Sequence, residues 1–431
     1  MVFFTNRILE CMTCKKSCNV LLVRFFRLGR VFMIKRDIAE HVQRFTTKMP
    51  VLCILGPRQS GKTTLAKELF SHYAYFSLEN KQVLATAMAD PALFLKECLQ
   101  GRPGVVFDEF QNCPDLLSAI QIYVDESKLL GTIILTGSQN YLMMESISQS
   151  LAGRVALFTL LPLSINELQQ AQLLASDVTE LIFNGSYPRL YQADITPNEL
   201  YPDYINTYLE RDIRTLKTVQ DLLLFKTFVS LCAGRIGQIL SVASLANDCG
   251  ISVATANAWL SLLEASYLIF FLRPHHVNFS KRLIKSPKLY FHDTGIACNL
   301  LGIQSAADLV NHHARGHLFE NFVISECNKM YYNARQQPRL YFWRDHTGNE
   351  IDLVIDRAGT LIPLEIKSSS LPSESMAKGL LFWHKISEQP LNTTYLLYAG
   401  DQSYALPGGV NLVSWRTLAD NAMQEVFGLA N

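Results

Sequence analysis

The chain has 431 residues, 49% of them apolar, and a net charge of +1, which describes a globular protein with more than one core and two or three domains. The near balance of charge excludes a nucleic-acid field over the whole surface and leaves room only for local binding. Ten scattered cysteines without a paired framework fit a reducing cytosol, and the lack of an apolar run of about 18 residues predicts no spanning helix, so a cytoplasmic protein without a membrane partner is expected.

Residues 1–32 are basic, with Arg7, Lys15, Lys16, Arg24, Arg27 and Arg30 against the single acid Glu10. Arg24 and Arg27 interrupt the apolar stretch 20–32, and the segment is too poor in serine for a transit peptide. Cys11, Cys14 and Cys18 have metal-like spacing without a nearby fourth ligand. The segment reads as an unstructured extension, or as a misplaced start with Met33 the true beginning.

Residues 33–47 have helical periodicity, and the apolar run 51–55 reads as a buried strand. It leads into Gly56, Pro57, Arg58, Gln59, Ser60, Gly61, Lys62, Thr63 and Thr64, a glycine-bounded loop followed by helical sequence. In this strand–loop–helix context the loop cradles phosphates on its backbone N–H groups. Lys62 is expected to reach the β- and γ-phosphates of ATP and the Thr63 hydroxyl to ligate Mg2+. A second strand over 104–107 ends in Asp108, expected to hold the magnesium shell, and Glu109, expected to orient or activate the attacking water. A third strand over 132–135 ends in Thr136, Gly137, Ser138 and Gln139. Ser138 either senses the γ-phosphate or belongs to a polar turn. Arg154, in Leu-Ala-Gly-Arg, either reaches a γ-phosphate, in its own subunit or in a neighbour of a homo-oligomer built through this domain, or is a surface arginine.

Gly185-Ser186-Tyr187-Pro188 marks a turn, and residues 204–218 read as a charged helix. Residues 221–275 have the pattern of a winged helix-turn-helix: helices over 222–233 and 241–248, a turn at Gly250, and a third helix from Ser252 with Trp259, Leu260 and Leu263 inward. After a strand over 267–272 comes an acid-free stretch with Arg273, His275, His276, Lys281, Arg282, Lys285 and Lys288. It is either a wing that contacts the phosphates of DNA or RNA, or a solvated loop.

The last third holds another constellation. Glu320 lies on an amphipathic helix over 317–330. Glu350-Ile351-Asp352 and Glu365-Ile366-Lys367 flank a hairpin turn at Ala358-Gly359. A two-residue loop there opposes Asp352 to Glu365 and Glu350 to Lys367, with all four side chains on one face. Opposed carboxylates repel, and a divalent cation held by Asp352 and Glu365 would turn that repulsion into binding. Lys367 would then position or polarise a metal-bound water, or stabilise the charged phosphate. The alternative is an ordinary hairpin with a charged outer face.

From residue 33 to about 415 the chain resembles the bacterial and archaeal AAA-type ATPases whose C-terminal region has a restriction-endonuclease-like, PD-(D/E)xK fold of unassigned function. The resemblance rests on G-P-R-Q-S-G-K-T at 56–63, F-D-E-F-Q at 107–111, L-T-G-S-Q at 135–139, L-A-G-R at 151–154 and Y-L-E-R-D-I at 208–213. Further on it includes H-D-T-G at 292–295, G-H-L-F-E-N-F at 316–322, E-I-D at 350–352 and E-I-K at 365–367. It implies an ATP site on Lys62, Thr63, Asp108 and Glu109, and a nuclease-like core on Glu320, Asp352, Glu365 and Lys367. The expected class is α/β: after the extension 1–32, a three-layer P-loop ATPase domain (33–215), a winged-helix module (216–290) and a restriction-endonuclease-like domain (291–431). The expected function is ATP binding and hydrolysis coupled to action on nucleic acid through a metal-dependent tail. The alternative is an ATP-switched binding or signalling module whose tail is catalytically silent.

Overall fold

Five short, mostly apolar strands build the first sheet: β1 (Val51–Gly56), β2 (Ala74–Ser77), β3 (Val105–Asp108), β4 (Ile133–Ser138) and β5 (Val155–Thr159). The computed structural model describes residues 33–138, 147, 149–208, 221–275, 285–387 and 389–429. The five strands are parallel, in the order β2-β3-β4-β1-β5. Every residue of β1 and β3 is buried, because a parallel sheet is covered on both faces. Alternation sends Val51, Cys53 and Leu55 into one apolar layer and Leu52 and Ile54 into the opposite one. Helices α1 (Ala39–Phe45) and α2 (Lys62–Leu69) cover the second face. Following α3 (Lys81–Ala89), helices α4 (Pro91–Leu99) and α5 (Leu116–Ser127) cover the first. This is the three-layer arrangement expected from the sequence.

Short helices follow: α6 (Ile165–Gln170), α7 (Val178–Asn184), α8 (Pro188–Gln192) and α9 (Pro197–Tyr208). Three more, α10 (Leu222–Ala233), α11 (Val242–Cys249) and α12 (Val253–Ala265), occupy the segment read as helix-turn-helix. Gly250 ends α11 at φ +70°, and the Ser252 hydroxyl accepts the Thr255 N–H at 3.0 Å to start α12. Trp259 packs between Phe225 and Phe228, with ring centroids 5.0 and 5.2 Å away.

The strands that follow belong to a second sheet. β6 (Ile269–Pro274) pairs with β7 (Lys288–Phe291) and also lies parallel to β8 (Leu340–Arg344). A division at residues 290 and 291 would therefore cut β7, and the strand that leads into the expected wing joins the C-terminal sheet, because β6 has a second edge and β8 fills it. Helices α13 (Thr294–Leu300), α14 (Ala306–Asn311) and α15 (Arg315–Asn333) come between them. The sheet continues through β9 (Glu350–Arg357), β10 (Thr360–Lys367), α16 (Lys378–Ser387), β11 (Tyr395–Tyr398), β12 (Tyr404–Ala405) and β13 (Asn411–Ser414), and α17 (Asn421–Phe427) ends the chain's helices. Its eight strands run β12-β13-β11-β10-β9-β8-β6-β7. The β9–β10 hairpin has the register read from its turn: Thr360 faces Arg357 and Leu364 faces Leu353. Ala358 (φ 51°) and Gly359 (φ 96°) supply the two left-handed residues such a turn requires. One apolar core joins Ile34 and Leu163, the α10–α12 helices, α15 and Trp415. The extension 1–32, with its three cysteines, lies outside the described residues, as do Gln139 and residues 209–220 and 276–284.

Candidate functional site

β1 delivers the chain to the carboxyl end of the sheet, where Gly56 pairs in register with Ser138 on β4. A side chain on Gly56 would put a Cβ 2.1 Å from the Leu160 carbonyl oxygen, so only glycine fits there. The loop closes at Gly61 (φ +97°), the cap of α2, whose first residues are Lys62 and Thr63. Lys62 is buried, and its ammonium donates to the carbonyls of Gly56 (3.1 Å) and Pro57 (2.7 Å). The loop is thus already wrapped around a cation.

Asp108 ends β3 beside it. Its carboxylate accepts the Thr63 hydroxyl at 3.0 Å on each oxygen, the Tyr75 hydroxyl at 2.6 Å, and the Thr136 hydroxyl. The three hydroxyls come from α2, β2 and β4, so neighbouring parallel strands fix the acid from both sides. Burial and the Asp108 carboxylate both push the Tyr75 phenol up, keeping it a donor. Glu109 follows in a left-handed conformation (φ 56°) and accepts from Gln111 Nε2. Lys62, Thr63, Glu109 and Glu79 line a cavity of about 800 Å3, lined also by Pro188, Arg189 and Gln192 of α8 and by Tyr204 and Thr207 of α9. The hydroxyls of Ser60 and Ser138 are buried at this end of the sheet without a hydrogen-bond partner. These unfilled polar atoms, with Lys62, Thr63 and Asp108, fit a magnesium-bound triphosphate.

Three contributors are missing from the sequence reading. Thr136 stood at a strand end, a visible signal. Tyr75 could be found only from the pairing of β2 with β3. Arg36 is buried and reaches three segments: its guanidinium donates to Ser60 O in the phosphate loop (2.7 Å), Leu161 O (2.6 Å) and Glu167 Oε1 (3.0 Å).

Arg154 does not reach this cavity in its own subunit. Its carbonyl accepts the N–H of Val51, at the entry of β1, which is roughly 16 Å of strand from Gly56. Its guanidinium pairs with Asp125 on α5, Nε to Oδ1 at 2.6 Å and Nη2 to Oδ2 at 2.8 Å. The chain returns to the entry edge before each parallel strand, which puts the residue preceding β5 at the wrong end.

If the hydroxyl cage orients Asp108 toward a metal, Tyr75→Phe should raise the magnesium concentration needed for half-maximal ATP turnover by roughly 10-fold to 100-fold, as loss of outer partners does at metal sites. Turnover at saturating magnesium should change little. An unchanged magnesium requirement would remove Tyr75 from the site.

In the tail, Glu320, Glu350, Asp352, Glu365 and Lys367 do come together. Lys367 Nζ lies 2.7 Å from Glu365 Oε1 and 3.4 Å from Asp352 Oδ2, so an ammonium stands between the two acids expected to share a metal. Asp352 Oδ2 also accepts the Ile366 N–H at 2.9 Å. Glu320 is held by Lys288 Nζ at 3.1 Å and by the Tyr290 hydroxyl. Among the described residues no three His, Cys, Asp or Glu side chains converge to hold a metal ion.

Residues 48–169 match the family described as AAA domain. Residues 175–307 and 315–418 match two domains of unknown function, DUF8612 and DUF4143. The uncharacterized proteins Mb2031c of Mycobacterium bovis and Rv2008c of Mycobacterium tuberculosis are each 30% identical over 411 residues, 94% of this chain and 89% of theirs. The chain belongs to their family. In this AAA-domain protein the matched segment spans β1 to β5 and carries Lys62, Thr63, Asp108 and Glu109, a P-loop ATPase domain. An uncharacterized Haemophilus influenzae protein is 22% identical over 304 residues, 65% of this chain and 76% of its own. Of solved structures, the Walker-type ATPase PABY2304 of Pyrococcus abyssi aligns at TM-score 0.39 and 15% identity, over 62% of this chain and 96% of that one. AMPPCP-bound DnaA of Aquifex aeolicus aligns at TM-score 0.28 and 14% identity, over 54% and 89%. No helix among the described residues is long and apolar enough to cross a membrane.

Proposed function

We propose that this protein binds and hydrolyses ATP with Mg2+ and uses the nucleotide to switch a tail that docks a partner. The observation that carries the ATPase reading is the meeting of Lys62, Thr63 and Glu109 at one cavity at the carboxyl end of a parallel sheet, with Asp108 bonded to the Thr63 hydroxyl behind them. Lys62 pairs with the β- and γ-phosphates, while loop N–H groups and the start of α2 complete the anion site. Thr63 and Asp108 hold the magnesium, which when bound neutralises charge developing on the phosphates. Glu109 orients the water and takes its proton, and Ser138 supplies a hydroxyl near the γ-phosphate. ATP turnover, measured alone and with DNA or RNA, tests this. Turnover by the protein alone is expected, and a failure to bind ATP would end the reading.

For the tail we propose a restriction-endonuclease-like fold. Metal-dependent cleavage of nucleic acid through Glu320, Asp352, Glu365 and Lys367 is one use of it. The silent, partner-docking use is favoured by one observation: Lys367 and Lys288 already neutralise these acids. The partner proposed is DNA or RNA, docked by the tail and met also by α10–α12 as a helix-turn-helix with the basic stretch after β6 as its wing. Replacing Lys281, Arg282 and Lys285 by alanine should then weaken binding to all sequences alike. It should also flatten the salt dependence by about one log unit for each phosphate-binding side chain removed. Equal affinity and slope in the variant would leave the stretch without a nucleic-acid role. A homo-oligomer through the ATPase domain, with Arg154 facing a neighbour, and a cytoplasmic location complete the proposal; the described cysteines are all free and buried, as a reducing compartment permits.

A further inference from the structure

The tail cluster contains a residue that the resemblance does not assign. Lys288 opens β7, on the hairpin that precedes the tail helices, and is only 2% exposed. Its ammonium lies 3.1 Å from Glu320 Oε1 and forms an ion pair with Glu350 Oε1. Glu350 has a second partner, Arg344 Nη1 at 2.9 Å. Lys367 serves Asp352 and Glu365. Backbone closes the cluster from two sides. A Cβ on Gly237 would lie 3.2 Å from Glu320 Oε2, and one on Gly379 would lie 3.3 Å from both Glu365 oxygens.

The charges of the cluster are paired, although Arg344 Nε is buried without a hydrogen-bond partner. Glu320, Glu350, Asp352 and Glu365 face Lys288, Lys367 and Arg344, and among the described residues the one buried carboxylate oxygen without a partner is Glu365 Oε2. Burial by itself would lower the Lys288 pKa, but the carboxylates of Glu320, Asp352 and Glu350 hold it charged. Burial, with the Asp352 charge beside it, raises Glu365 above the usual carboxylate range. A divalent ion entering here would bring two positive charges against a fixed ammonium already bonded to two of the acids. The donor set therefore does not fit a metal as it stands.

We infer that Lys288 is the built-in cation of the tail cluster, taking the neutralising part that a divalent ion would otherwise play and so keeping the cluster metal-free. Because Lys288 comes from the β6–β7 hairpin, the cluster is complete only while that hairpin is docked on α15. Access for a metal then requires Lys288 to be removed or withdrawn.

Nucleotide-free full-length protein titrated with Mn2+, followed by thermal melts and by titration calorimetry, tests this apart from the ATP site. The wild type should show no Mn2+ binding or melting shift that depends on Asp352. Lys288→Met should gain binding, with a melting temperature that climbs with each tenfold rise in Mn2+, and Lys288→Met/Asp352→Asn should lose it again. Arg344→Met, which removes a cation from the rim, should gain none; a gain there equal to that of Lys288→Met would reduce the effect to general charge and overturn the assignment. Removing Lys288 leaves buried acids unpaired, so Lys288→Met/Glu320→Gln serves as a second variant that relieves one of them. Asp352-dependent Mn2+ binding by the wild type, or no binding by either Lys288 variant, would also overturn it.

Discussion

Lys62→Ala should slow ATP hydrolysis by on the order of 100-fold or more, the scale seen when one charge-stabilising group is deleted from an active site. It should also weaken ATP binding. The Lys62 ammonium, now held by the Gly56 and Pro57 carbonyls, is the buried cation around which the loop is wrapped. Alanine leaves those carbonyls turned toward a site that must accept polyphosphate, so attraction becomes repulsion. Glu109→Gln differs in kind. It keeps the side chain's shape and its position beside Gln111 while removing the base, so ATP should bind near wild-type affinity and turn over slowly. A binding assay with a non-hydrolysable analogue beside steady-state turnover separates the two, since one variant changes affinity and rate and the other mainly rate. Wild-type rates from both variants would refute the site.

What the sequence disclosed follows from where each signal resides. The central strands β1, β3 and β4 were legible because strands buried on both faces are written as continuous apolar runs. The phosphate loop was legible because its glycines and lysine have fixed offsets. The β9–β10 register followed from Ala358-Gly359, since a two-residue turn sets every pair beyond it. Contacts between distant segments were not legible. Arg36 meets Glu167 across 131 positions and Lys288 meets Glu320 across 32, and neither residue carries a local mark of its partner. Arg154 misleads for a topological reason, because nearness in sequence to the end of β4 says nothing about which end of β5 it precedes. The pairing of β6 was hidden for a similar one: β6 reads locally as half of a hairpin, and its pairing with β8 emerges only when the tail is folded.

The junction between the ATPase domain and the tail yields the other large expected effect. Lys329 on α15 is 2% exposed and donates to Leu163 O (2.9 Å), Ser186 Oγ (2.9 Å) and Glu326 Oε1 (2.7 Å). Glu326 in turn accepts the Ile165 N–H at 2.8 Å, at the start of α6. Removing one member of a buried ion pair leaves the other charged and unsolvated, so Lys329→Met should destabilise the protein by about 3–5 kcal/mol. Adding Glu326→Gln removes that orphaned charge while keeping an acceptor for Ile165, so the double variant should recover part of the loss. Urea unfolding of the nucleotide-free protein measures both, and a wild-type midpoint for Lys329→Met would show that the pair does not hold the junction. The same variant should also bind ATP more weakly. Ser186, which Lys329 and Asp293 together fix, lies two residues before Pro188, where α8 begins. Pro188 and Arg189 wall the nucleotide cavity, so loosening Ser186 loosens that wall. The requirement for magnesium should stay as in the wild type, because Asp108 is held by Thr63, Tyr75 and Thr136, none of which belongs to α8 or α15.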